Sequence, residues 1–278
     1  MLPALLLAFR EGLEAALILG IALGVLRRTG QTDHARFVWL GAGLAAIVAT
    51  AAGAGLYALG VAFEGAAEEI FEGFAMLLAA GVLTWMIFWM GRRGRTIQAN
   101  LERDVRRATL IGGGRWALFS LAFLAVLREG VELALFLTAA TFAVSAGATV
   151  AGAVAGLAAA AVAGWLIFAT TTRLNVGAFF RVTSILLILF AAGLVAHGIH
   201  ELNEVGWVPA VVEQVWDLNP VLDESSLAGE LLKALFGYNG NPSLTEVTAY
   251  LGYWVVVSLA LWRQSAQQSA PVPVAAGD

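Results

Sequence analysis

Seven long apolar runs are the feature that most constrains the fold of this chain. They lie at residues 2–26, 37–59, 70–90, 116–144, 148–170, 182–199 and 244–262. Most of them provide the roughly 20 residues that a helix needs to cross about 30 Å of hydrocarbon. Charged residues make up only 13% of the 278 residues, whereas soluble domains contain about 25%. The sequence therefore predicts an all-α integral membrane protein with seven transmembrane helices.

The basic residues predict how these helices are oriented. All but three of the 16 Lys and Arg residues fall in segments that follow the first, third, fifth or seventh run. The exceptions are Lys233, on the opposite side, and Arg10 and Arg128, which lie inside apolar runs. Because basic loops stay in the cytoplasm, we expect an extracytoplasmic N-terminus and a cytoplasmic C-terminus. The expected location is the cytoplasmic membrane, as a multi-pass protein.

The runs and loops divide the chain into six predicted segments. These are a first three-helix repeat at 1–91, a basic cytoplasmic connector at 92–115, a second three-helix repeat at 116–204, an external loop at 205–243, the seventh helix at 244–263 and a disordered tail at 264–278. Apolar residues at helical spacing over 225–236 predict a short amphipathic helix in the external loop. Ser243 and Glu246 predict a capping box at the start of the seventh helix.

One five-residue motif occurs twice, and both copies lie inside apolar runs. The pattern R-E-G-x-E stands at 10–14 in helix 1 and at 128–132 in helix 4. Three helices separate equivalent points, so the two copies are expected to run in opposite directions through the bilayer. Inverted repeats of this kind are typical of transporters, whose substrate sites lie near the midplane between the repeats. The sequence therefore predicts a 3+3 inverted repeat plus one extra helix.

The motif places charged side chains in the interior of the bilayer, where they are energetically unfavourable. A charged side chain at the bilayer centre costs about 2.5–3.5 kcal/mol on insertion scales. Spacing of i, i+3 puts both glutamates of each copy on one helix face, and Gly12 and Gly130 are expected to let helices 1 and 4 approach closely. The four convergent carboxylates would be Glu11, Glu14, Glu129 and Glu132.

Two interpretations of these charges are open at the level of sequence. Arg10 and Arg128 could each pair with a glutamate and lock two helices together. That pairing leaves two carboxylates without a counter-charge, so the second interpretation is that the arginines are charge-pairing residues and the excess carboxylates bind a cation. Oxygen ligands suit hard cations such as iron, manganese, calcium or magnesium. The chain has no cysteine, which argues against a soft-metal site.

A second acidic group is predicted at the outer end of the bundle, where helix 3 begins and helix 6 ends. Its candidate metal residues are Glu69, Glu72, His197, His200, Glu201 and Glu204. Such a cluster would raise the local concentration of cations at an entrance. For the two histidines, a packing pair on one face of helix 6 is the alternative.

These motifs together resemble a known family. Two copies of R-E-G-x-E in helices 1 and 4 of a seven-helix protein are similar to the high-affinity iron permeases, the oxidase-dependent iron transporters of fungi and their bacterial EfeU-type relatives. The stretches 68–73, 84–90 and 197–204 also resemble that family. The resemblance implies uptake of iron, expected in its ferric form, with the four motif glutamates as ligands. It also implies a separate extracytoplasmic protein that binds or oxidises iron.

Other functions stay open on the sequence alone. A transporter could carry another cation, such as manganese or lead. An intramembrane metalloenzyme could hold a metal between His197, His200, Glu201 and Glu204 and activate water. A third alternative is a metal sensor or assembly subunit that binds ions without moving them. We expect a transporter and not an enzyme, with iron as substrate, no resident cofactor and no nucleic-acid partner. The lipid bilayer surrounds the protein, and both a monomer and a homo-oligomer agree with the sequence.

Overall fold

The computed structural model describes residues 1–110, 114–143, 145–169, 176–224 and 226–268. Within these residues the chain contains α-helices, one 3₁₀ turn at Thr32–His34 and no β-strand. The helices are α1 Leu2–Arg28, α2 Ala35–Ala62, α3 Ala66–Leu110, α4 Gly114–Ala143, α5 Ala146–Ala169, α6 Val176–Glu204, α7 Leu227–Phe236 and α8 Leu244–Gln268.

Each of the seven predicted apolar runs lies mainly within one long helix. Five helices are long and apolar enough to cross a membrane over Thr32–Ala62, Ala66–Trp89, Ala146–Phe168, Arg181–Glu204 and Leu244–Gln264. The other two long helices, α1 and α4, have 27 and 30 residues. They differ from the five because each carries the three charges of the repeated motif near its middle.

Two predicted segments have other helical bounds in the structure. Helix α3 continues without a break to Leu110, so the stretch 92–110 of the basic connector is helical. Helix α8 ends at Gln268, and the rest of the predicted tail lies outside the described residues. The polar composition of both stretches hides their helical state from an analysis of apolar runs.

The predicted short helix over 225–236 and the predicted capping box at 243–246 are confirmed. Helix α7 begins after Ser226, whose side chain accepts a hydrogen bond from the Gly229 amide. The capping box at the start of α8 is reciprocal, because the Ser243 amide donates to Glu246 Oε1 over 3.1 Å and the Glu246 amide donates to Ser243 Oγ over 3.2 Å. Each side chain thus satisfies a backbone donor that the helix itself leaves unpaired.

Glycines set the packing of two helix pairs, α1 with α5 and α2 with α4. A Cβ placed on Gly152 of α5 would lie 3.1 Å from the backbone nitrogen of Leu5 in α1. A Cβ placed on Gly41 of α2 would lie 3.1 Å from the backbone nitrogen of Phe123 in α4. Only glycine permits such a close approach of two backbones. Leu5 and Phe123 are separated by the same interval as the two motifs, so the two pairs repeat one packing arrangement.

An apolar layer lies beside the motifs and extends along α3 and α6. It joins α1, α3, α4 and α6 through side chains that are at most 1% exposed, including Leu7, Met76, Leu83, Phe136, Leu187 and Leu194. Leu7 precedes Glu11 by one helical turn, and Phe136 follows Glu132 by one turn. The motif carboxylates therefore lie directly next to this layer.

Candidate metal centre

The carboxylates of the two motifs converge where α1 and α4 meet. One carboxylate oxygen from each of Glu11, Glu14 and Glu129 lies within 4.8 Å of the others. These residues are 1%, 9% and 5% exposed, respectively. The Glu132 carboxylate lies near this group as well, since its charge acts on both Glu11 and Glu14. Its side chain is 12% exposed. The arrangement offers several oxygen ligands from two helices to one small volume.

The glycines of the two motifs do not lie between α1 and α4, as predicted, but contact other helices. A Cβ on Gly12 would lie 2.9 Å from Ala160 Cβ in α5, and a Cβ on Gly130 would lie 2.5 Å from Ala49 Cβ in α2. Each glycine therefore seats its own helix against a flanking helix. The expectation that these glycines let α1 and α4 approach each other is wrong, because each points to a different face from its neighbouring glutamate.

The arginines orient carboxylates within their own helices. Arg10 Nε lies 3.2 Å from Glu14 Oε1, and Arg128 Nε lies 2.9 Å from Glu132 Oε1. Both pairs have i, i+4 spacing, which joins side chains on successive turns of one helix. These ion pairs do not tie α1 to α4, so they do not have the geometry of the interhelical lock.

Part of the carboxylate set has no donor. Both oxygens of Glu11, Oε2 of Glu129 and Oε2 of Glu132 are buried and accept no hydrogen bond within the described part of the chain. Leaving a buried charged acceptor unsatisfied costs more than the 1–3 kcal/mol that is typical of a neutral group. Carboxylates packed this closely need a proton or a cation between them. The geometry is therefore suited to binding a positive ion.

Near the start of α3 and the end of α6, the two helices cross closely between their acidic residues. A Cβ on Gly198 would lie 2.9 Å from the Gly73 carbonyl oxygen. This crossing brings the Glu72 and Glu201 carboxylates near enough for their charges to interact, and Glu69 acts on both. The predicted acidic group at this end of the bundle is thus assembled, with a half-buried Glu72 at its centre.

The two histidines of α6 have different partners. His197 Nδ1 lies 3.0 Å from the Gly193 carbonyl oxygen of its own helix. His200 lies between two carboxylates, with Nδ1 3.1 Å from Glu246 Oε1 and Nε2 3.3 Å from Glu204 Oε1. Among the described residues, the motif glutamates form the only group of three metal-ligating side chains within 4.8 Å. In the described part of the chain, His197, His200, Glu201 and Glu204 thus do not bring three ligand atoms within that distance of one another.

Glu246 is a site residue that sequence reasoning missed. Its side chain is 3% exposed and accepts hydrogen bonds from the Ser243 amide and from Asn239 Nδ2 while it contacts His200. The capping-box pattern identified Glu246 only as a helix cap. Its contact with His200 joins residues 46 positions apart, so local spacing could not reveal it.

A cavity of about 540 Å³ lies next to the motif carboxylates. It is lined by residues of α1, α2, α4 and α5, mostly apolar, and by both Glu11 and Glu129. Long apolar helices around a group of buried charges place the molecule in the class of integral membrane proteins.

Comparison with known proteins identifies the family. Residues 1–264 match the iron permease FTR1 family. The ferrous iron permease EfeU of Escherichia coli O157:H7 is 38% identical over 257 residues, which cover 92% of this chain and 93% of that protein. The ferrous iron permease EfeU of Yersinia pestis is 36% identical over 252 residues, or 90% and 89% of the two chains. No solved structure matches.

The chain belongs to the iron permease FTR1 family. The predicted resemblance is thereby confirmed, as are the predictions of a membrane-embedded iron transport protein and of a permease instead of an enzyme.

Proposed function

We propose that this protein moves iron across the cytoplasmic membrane into the cell through the carboxylate site between α1 and α4. The observation that carries this proposal is the convergence of Glu11, Glu14 and Glu129 within 4.8 Å, with both Glu11 oxygens lacking a donor in the described chain. A cation between them would supply the missing positive charge. The family supports iron as that cation.

In this proposal seven helices span the bilayer as an inverted repeat plus α8. Helices α1 and α4 join the five long apolar helices as spans, because α5 packs along α1, α2 packs along α4, and their charged faces meet each other inside the bundle. The matching contacts of Gly41 and Gly152 support two equivalent helix pairs. An extracytoplasmic N-terminus and a cytoplasmic C-terminus follow from the arginine distribution.

The oxidation state of the transported iron is a separate question. Carboxylate oxygens are hard ligands that suit ferric and ferrous iron as well as manganese. The ferric form remains a prediction from sequence, whereas the named relatives are ferrous iron permeases. Manganese and lead are the competing substrates against which selectivity has to be measured.

The acidic group at the outer end would concentrate cations before they enter. Glu69, Glu72 and Glu201 create a negative potential there, while His200 and Glu204 form an adjoining pair. A separate extracytoplasmic iron-binding or iron-oxidising protein would deliver the ion, and assembly into a homo-oligomer is compatible with this scheme.

Uptake of radioactive iron into proteoliposomes tests the proposal. Purified protein is supplied with ferrous iron under ascorbate or with ferric citrate, and manganese or lead is added in competition. Glu11→Gln and Glu129→Gln keep the side-chain volume and delete the charge. We expect uptake to fall at least 10-fold in both variants at equal protein incorporation. Glu64→Gln, in the exposed turn before α3, is the matched control and should transport normally. Normal uptake by both buried-site variants would overturn the proposal.

A further inference from the structure

A second apolar cluster fixes the polar end of α3 against three other helices. It forms where α1 ends and where α2 and α4 begin, and each of its side chains is at most 4% exposed: Ala22, Val25, Leu26, Val38, Val105 and Leu118. Val105 lies in the polar stretch of α3 and is completely buried in this cluster. The polar stretch is therefore held at this end of the bundle.

Six exposed arginines flank the apolar cluster, and we call them the basic collar. They come from the end of α1, the start of α2, the end of α3 and the start of α4: Arg27, Arg28, Arg36, Arg103, Arg107 and Arg115. The described side chains over 22–40, 103–107 and 114–124 include two acidic residues, Asp33 and Asp104. The collar thus carries an excess of positive charge, which attracts anions.

Aromatic rings join two of these arginines into one surface. The guanidinium carbon of Arg36 lies 5.0 Å from the centre of the Phe37 ring. The Phe37 ring in turn lies 6.1 Å from the ring of Trp116, which directly follows Arg115 in α4. The starts of α2 and α4 therefore present their arginines side by side.

The order of exposed residues along α2 and α4 indicates how deep the collar lies in a membrane. On α2, Arg36 is followed by the exposed Trp39 and Leu40, and on α4 the exposed Trp116 is followed by the exposed Leu124. Tryptophan is enriched at the boundary between water and membrane, whereas leucine favours the hydrocarbon. The arginine before each tryptophan therefore lies at the level of the lipid headgroups.

We propose that the basic collar binds the phosphate groups of anionic phospholipids in the adjoining leaflet. Arginine suits this ligand because its planar guanidinium donates two parallel hydrogen bonds to phosphate oxygens. In the proposed topology the leaflet is the cytoplasmic one, whose anionic lipids attract basic segments next to transmembrane helices. Because four helices share the collar, bound lipid would hold their ends together and stabilise the bundle.

Thermal unfolding in nanodiscs tests this proposal. The discs contain phosphatidylcholine alone or a mixture with phosphatidylglycerol, in both leaflets, so the orientation of the protein does not affect the result. We expect phosphatidylglycerol to raise the melting temperature of the unmodified protein by several degrees. The double variant Arg36→Gln/Arg115→Gln should unfold like the unmodified protein in phosphatidylcholine but lose most of the increase. Its affinity for spin-labelled phosphatidylglycerol should fall about 10-fold.

A matched double variant distinguishes the collar from a general effect of charge. Arg181→Gln/Arg263→Gln removes the same charge from exposed positions on α6 and α8 and should keep the stabilisation by phosphatidylglycerol. Inorganic phosphate added to phosphatidylcholine discs distinguishes a lipid from a free anion and should leave the melting temperature unchanged.

Three results would overturn the proposal. They are an unmodified protein that phosphatidylglycerol does not stabilise, an equal loss of stabilisation in the two double variants, and stabilisation by inorganic phosphate as large as that by the lipid. Lipid binding is measured without iron, so its failure leaves the proposed iron transport untouched. Conversely, normal uptake by the Glu11→Gln and Glu129→Gln variants would leave the collar intact.

Discussion

The two copies of the R-E-G-x-E motif have the same residues but different surroundings. In the first copy the Arg10 side chain is 1% exposed and pairs with Glu14. In the second copy the Arg128 side chain is 40% exposed, pairs with Glu132 and lies with its guanidinium 4.7 Å from the centre of the Trp89 ring. The first arginine is therefore part of the buried interior, whereas the second lies at its edge. The two arginines therefore contribute differently to the stability of the protein, although they occupy the same position in the motif.

The largest difference between the copies is expected from deletion of the arginines. Removing one partner of a buried ion pair costs about 3–5 kcal/mol, so Arg10→Ala should strongly reduce the yield and melting temperature of the purified protein. Arg128→Ala removes a half-exposed pair and should destabilise the protein much less. Thermal unfolding in detergent measures both, with the exposed Arg263→Ala as control. Equal losses for Arg10→Ala and Arg128→Ala would show that the difference in burial has no energetic consequence.

The motif glycines provide the next largest effect. A methyl group at Gly130 would press on Ala49 at 2.5 Å and one at Gly12 would press on Ala160 at 2.9 Å. Overpacking of this kind costs about 1–3 kcal/mol, so Gly130→Ala should lower the melting temperature more than Gly12→Ala. Gly24→Ala is the control in α1, because a Cβ there meets nothing within 4 Å. It should leave stability unchanged or raise it slightly, and a reversed order of the three variants would contradict the packing.

Helix existence, the Ser243–Glu246 capping box and the meeting of the motif glutamates could be predicted from the sequence, whereas the neighbours of Gly12, Gly130 and Glu246 on other helices could not. A long apolar run predicts a helix, because a backbone that crosses hydrocarbon must satisfy its N–H and C=O groups with hydrogen bonds inside the segment. Apolar runs alone do not mark the stretch 92–110, where the helix continues through polar residues. Sequence reasoning was wrong for Gly12 and Gly130, since spacing fixes a helix face but not the neighbour that the face meets. Glu246 was missed for a related reason, because its partner His200 comes from another helix.

The smallest expected effect concerns Trp89. A cation–π contact is worth about 0.5–1 kcal/mol at an exposed site, so Trp89→Leu should change the iron concentration for half-maximal uptake by less than 10-fold and leave folding intact. Trp85→Leu is the control, because Trp85 neighbours Trp89 in a stacked pair and is 59% exposed. A complete loss of uptake in Trp89→Leu alone would indicate that Arg128 needs this ring to orient Glu132.

The position of bound iron tests the central claim most directly. Anomalous scattering at the iron edge, recorded from crystals of the protein soaked with ferrous iron, locates the ion without reference to activity. The account predicts a peak between the carboxylates of Glu11, Glu14 and Glu129, and its loss in crystals of Glu11→Gln. A peak confined to the outer residues around Glu72, or one that persists in Glu11→Gln, would contradict it.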